Sequence, residues 1–112
     1  MTEVLLVKAK DGSFLKCNAS GHAGFAPKGK DIVCSAVTIL MRTAMQVLSE
    51  ASGIKLETDT SLRGFLSFCA AIDSGNADQS RINTIGDFLE TGFKSLSEEF
   101  PNNLTFELKL ED

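Results

Sequence analysis

The sequence predicts an α+β fold, a two-layer α/β sandwich in which two amphipathic helices cover a mostly antiparallel sheet in the order β-β-α-β-β-α-β. Three observations predict it. Five short segments carry strand-like apolar patterns, two longer ones carry apolar residues at intervals of three and four, and Asp11-Gly12 joins the first two strands as a hairpin turn. A chain of 112 residues has the size of one domain around one core, so residues 1–112 are read as a single unit.

The first two strands run over Glu3–Lys10 (EVLLVKAK) and Ser13–Ala19 (SFLKCNA), with Asp11-Gly12 as a two-residue connection. Strict alternation groups Phe14 with Lys16 and Asn18, opposite Leu15, Cys17 and Ala19. Ser20–Lys30 has three glycines and a proline in eleven residues and no periodicity, the pattern of a mobile loop. The first helix spans Ile32 to about Ala51, with Val33, Ala36, Val37, Leu40, Ala44, Val47 and Leu48 at helical spacing, Asp31 as N-cap and Gly53 as stop. Ile54–Thr58 and Arg63–Ala70 form a second hairpin. The stripe Ile82, Ile85, Leu89, Phe93, Leu96 and Phe100 marks the second helix, ended by Pro101. Leu104–Leu110 alternates as a fifth strand, with Leu104, Phe106, Leu108 and Leu110 on one face.

Composition narrows the function. A net charge of −4 argues against direct nucleic-acid binding, which needs a surplus of Lys and Arg on one face, and favours a basic partner. No apolar run approaching the roughly 18 residues of a membrane span is evident, and MTEVLLVKAK is too short and charged for a secretory signal. A cytoplasmic protein without membrane association is the expectation. Cys17, Cys34 and Cys69 are odd in number and irregularly spaced, which suits reduced thiols rather than a disulfide framework. With no two cysteines at ligand spacing and one histidine, neither a metal site nor another cofactor is expected.

Cys34 and His22 carry the chemistry. With Asp31 as cap, Cys34 is the third helical residue, among unpaired N–H groups at the positive end of the helix dipole, where a thiolate is stabilised. His22, the one histidine, lies on the glycine-flanked loop leading into that helix, and twelve residues are enough for it to fold back over the helix start. Within hydrogen-bond reach the two make a nucleophile and its base, the thiolate attacking a carbonyl carbon and the imidazolium protonating the leaving amine. The helix N–H groups, or the backbone of the Gly21–Gly24 run that includes Ala23, are candidate oxyanion donors. Asp31 is first a cap and secondly a group that could orient His22, while Thr38 falls one turn after Cys34 on the same face. A plainer account also fits, because a lone helical cysteine is ordinarily a small core residue and a lone loop histidine is ordinarily just exposed.

Gly21-His22-Ala23 followed by Gly29 and Asp31-Ile32-Val33-Cys34 closely resembles the signature of the ribosomal-processing cysteine protease family of small bacterial proteins. The resemblance implies a catalytic dyad of Cys34 and His22. It further implies an endopeptidase that removes the N-terminal extension of a large-subunit ribosomal protein, the twenty-seventh in the standard count. A homodimer acting on a basic ribosomal precursor follows from the same resemblance, as does a histidine loop that closes on its peptide. The family commonly has Ser where this chain has Thr38, which keeps the hydroxyl and adds a methyl. Two other classes remain beside it: a non-enzymatic ribosome-associated peptide-binding homodimer, and a plain structural or regulatory dimer.

Overall fold

A computed structural model describes residues 1–21, 32–62, 64–73 and 79–111. The order is β1 (Thr2–Ala9), β2 (Phe14–Ser20), α1 (Ile32–Ser49), β3 (Ile54–Asp59), β4 (Phe65–Ile72), α2 (Gln79–Glu99) and β5 (Leu104–Glu111). All five strands join one sheet in the order β3-β4-β2-β1-β5; β1 pairs parallel to β5 and the other three pairings are antiparallel. The predicted α+β sandwich is therefore the observed one.

The first connection differs from the two-residue expectation. Ala9 N–H donates to the Ser13 carbonyl at 2.8 Å and Gly12 N–H to the Ala9 carbonyl at 2.9 Å, with Gly12 at φ +93°, so three residues form the loop. A left-handed residue closing a three-residue hairpin favours Gly at that position, and the Asp11 carboxylate accepts from Ser13 N–H at 2.9 Å. The strand faces differ too. The register slips between Val7 and Lys8, which pair with Lys16 and Phe14, leaving Leu15 as an extra residue on β2. That bulge carries Phe14 to the face of Cys17 and Ala19, and all three are buried.

The core lies between the sheet and the helices. α1 buries Val33, Val37, Met41, Ala44 and Leu48, and α2 buries Ile82, Gly86, Leu89 and Phe93. Each fully buried large side chain contributes roughly 1.5–3 kcal/mol of transfer free energy, so these rows fix how the helices sit. Phe14 stacks on Phe68 at 5.4 Å, and a Cβ at Gly86 would come within 2.9 Å of the Phe14 Cβ; α2 thus approaches β2 at a residue with no side chain. α1, 18 residues with a mean hydropathy of 1.6, meets the length and composition of a bilayer span, contrary to the expectation that no such run exists. Its apolar row packs on the sheet.

The apolar face of β5 is only partly used. Leu104 is buried and Phe106 meets Phe93 at 6.3 Å, but Leu108 and Leu110 are exposed at 40% and 56%. On β1, Lys8 turns toward α2. It is 7% exposed, and its ammonium donates to Asp87 at 2.7 Å and Glu90 at 2.6 Å.

Candidate active site

Cys34 is the third residue of α1, partly buried. It sits beside the helix's buried row and not within it, so its sulfur is not consumed by the core. The N–H groups of the first helical turn have no carbonyl four residues earlier inside the helix, and their dipoles converge on this end. The Cys34 sulfur and the N–H groups of the first helical turn therefore occupy the same few ångströms of backbone.

The end of β2 delivers the second wall. Gly21 follows Ser20 at φ +86°, and a Cβ there would lie 2.6 Å from the Met1 carbonyl oxygen, so both backbone angle and space demand glycine. Its N–H donates to the Gly64 carbonyl at 2.8 Å, tying the exit of β2 to the entry of β4.

Between these walls lies a groove of about 450 Å³. α1 lines it with Cys34, Val37, Thr38, Arg42 and Met45; β2 and its exit with Ala19, Ser20 and Gly21; β4 and its entry with Gly64, Phe65 and Leu66; Thr2 and Thr60 complete it. The lining is mostly apolar, which suits extended peptide with apolar side chains better than a small polar metabolite. The Thr2 hydroxyl is buried at this groove without a hydrogen-bond partner among the described residues.

Of the residues singled out in the sequence, Cys34, Thr38 and Gly21 thus meet on one groove. His22, Ala23 and Asp31 lie outside the described residues. The other two thiols are placed elsewhere. Cys17 is wholly buried, and burial pushes its thiol up to about 12. Cys69 lies on β4 with its sulfur 3.7 Å from Glu57, and burial followed by the charge of Glu57 pushes its thiol up. At both, the surroundings disfavour the thiolate. None of the three cysteines is in a disulfide.

Sequence reasoning missed Thr2, Arg42, Met45, Thr60, Gly64 and Phe65. Arg42 and Met45 were open to discovery, since they lie eight and eleven residues after Cys34 and return to its side of the helix. The others reach the groove only through strand pairing.

Residues 1–105 match the family described as cysteine protease Prp. The chain belongs to that family. As a Prp-family member it is a cysteine protease, and the non-enzymatic alternatives fall away. No curated protein sequence matches the chain. Among solved structures, the fold is similar to an essential ribosomal processing protease Prp from S. aureus in complex with a covalently linked product peptide. The TM-score is 0.78 at 16% identity, over 97% of this chain and 100% of that one. The same S. aureus protease with a substrate peptide gives a TM-score of 0.75 at 16% identity, over 97% and 100% of the two chains. SMU.848 from Streptococcus mutans gives 0.71 at 23% identity, over 99% and 96%. At these identities the likeness is one of fold.

Proposed function

We propose that this Prp-family protease cuts the N-terminal extension from a large-subunit ribosomal protein, the twenty-seventh in the standard count, with Cys34 as nucleophile and His22 as base. One observation carries the reading. Cys34 at the start of α1 and Gly21, the residue before His22, line the same groove, so the chain enters and leaves the intervening segment at the place where peptide would lie. The S. aureus relative is described as a ribosomal processing protease and holds peptide, which supports a peptide occupant for the groove.

The Cys34 thiolate attacks the scissile carbonyl carbon, and the resulting oxyanion accepts from backbone N–H groups at the helix start. The His22 imidazolium gives its proton to the departing amine. The thioester that remains is opened by water, deprotonated by the now neutral imidazole, and Cys34 is regenerated. Asp31 orients His22, Gly21 and Ala23 set the loop against the peptide, and Thr38 offers its hydroxyl one turn along α1. No metal or other cofactor takes part in this scheme. The enzyme works as a homodimer in the cytoplasm, where its substrate is made, and its net charge of −4 complements a basic ribosomal precursor.

Incubation of the purified protein with the ribosomal protein precursor, read by intact mass, tests the proposal. A shortened product is expected with the wild-type enzyme and none with Cys34→Ala or His22→Ala. Persistent cleavage by either variant would overturn the assignment.

A further inference from the structure

Arg42 stands on α1 two turns beyond Cys34, where Cys34, Thr38 and Arg42 succeed one another along the groove. Every other described residue that lines the groove is uncharged. Arg42 is exposed, and its guanidinium forms no ion pair with a described residue, whereas Lys8, Lys55 and Lys109 each meet a carboxylate. That is unexpected in a chain with 15 acidic against 11 basic side chains. A guanidinium presents a planar fork of donors that matches a carboxylate. Met45 and Phe65 line the same groove, so such a pair would form beside apolar surface.

We propose that Arg42 is a specificity-determining residue: it selects a substrate with an acidic side chain three to four residues from the cut bond and rejects a basic one there. The inference rests on the reading of this groove as the peptide cleft. The spacing follows from helix and strand geometry. Eight helical residues advance about 12 Å, and an extended peptide covers that length in three to four residues at roughly 3.3 Å each. The inference also refines the charge argument. A net negative protein draws a basic substrate from a distance, but the charge on the described lining of the groove is that of Arg42, so the substrate's basic residues stay outside the Arg42 subsite.

The test uses fluorogenic decapeptides spanning the processing junction of the ribosomal precursor, with Glu, Ala or Lys placed singly at each position other than the two flanking the cut bond. Wild-type enzyme, Arg42→Ala and Arg42→Glu are compared by kcat/KM. For wild type, Glu is expected to exceed Lys about tenfold at one position three or four residues from the bond. The preference should flatten in Arg42→Ala and reverse in Arg42→Glu, a reversal that mere loss of fold cannot produce. Charge indifference of the wild type at those positions, or a Glu preference that survives in Arg42→Ala, overturns the role of Arg42. Failure of the wild type to cut any peptide, the Ala series included, overturns the reading of the cleft beneath it, and the two failures are thereby distinct.

Discussion

Gly21 and Gly64 face each other across the top of the sheet, both left-handed at φ +86° and +78°, joined by the Gly21 N–H to Gly64 carbonyl bond at 2.8 Å. The pair fixes where the chain leaves β2 and enters β4, and so where the segment carrying His22 departs. Gly21→Ala forces a left-handed alanine and puts its Cβ against the Met1 carbonyl. A loss of about 1–3 kcal/mol in chemical denaturation is expected, with a larger fractional loss in kcat/KM than the unfolded fraction explains. Unchanged stability would show that the strand end yields freely.

The three thiols should separate by reactivity. Iodoacetamide at pH 7.5, followed by peptide mass mapping, is expected to modify Cys34 first, Cys69 slowly, and Cys17 only after denaturation, because Cys17 is 0% exposed with its thiol pushed up to about 12. Labelling of Cys17 in the native protein at a rate near that of Cys34 would contradict this placement.

Lys8 makes stability depend on alkaline pH. Burial disfavours its charge, yet the hydrogen bonds and charges of Asp87 and Glu90 together outweigh that effect and hold the ammonium above its ordinary 10.5. A group whose value rises on folding stabilises below its unfolded value and loses that contribution as pH climbs through the folded one. Wild type is therefore expected to lose stability above about pH 10.5, and Lys8→Met to show a flatter alkaline limb. The exposed carboxylates can be rehydrated whereas the buried amine cannot, so Asp87→Asn with Glu90→Gln should cost more than Lys8→Met, by roughly 1–3 kcal/mol in urea unfolding. The reverse order would refute the argument.

Thr2 carries a hydroxyl that folding strips of water and leaves without a partner among the described residues. Thr2→Val keeps its shape and removes the unmet group, so a gain of about 1 kcal/mol is expected in thermal or denaturant unfolding. A loss instead would mean that the hydroxyl is satisfied in solution. If peptide draws on this group, KM rises in the same variant while kcat holds.

Two helical glycines should respond oppositely to alanine. At Gly86 the new Cβ meets the Phe14 Cβ at 2.9 Å, in the middle of the core, whereas at Gly92 it meets a terminal Leu40 methyl at 3.2 Å. The helix propensity gain of about 1 kcal/mol applies to both. Gly92→Ala is expected to be neutral or stabilising and Gly86→Ala destabilising by about 1–3 kcal/mol, as measured by denaturation midpoints. Equal effects would show that α2 can shift away from β2.

Most of the fold was legible because periodicity is a local property. The α2 stripe from Ile82 to Phe93 and the α1 row Val33, Val37, Ala44 and Leu48 report their buried faces directly. Alternation failed where backbone geometry intervenes, and the bulge at Leu15 moved Phe14 to the other face without a glycine or proline to announce it. The Leu104 to Leu110 alternation was equally clear, yet the exposure of Leu108 and Leu110 depends on how far α2 reaches over an edge strand.

The sequence by itself determined the α+β class, the helix that starts just before Cys34, and the motif linking His22 to that cysteine, since each depends on residues close along the chain. Only the tertiary structure decided the strand order, the turn of Lys8 toward α2 and the groove that brings Thr2, Arg42 and Phe65 to Cys34. Those placements follow from pairing between segments tens of residues apart, where the balance of packing over the whole core, and not any local preference, selects the arrangement.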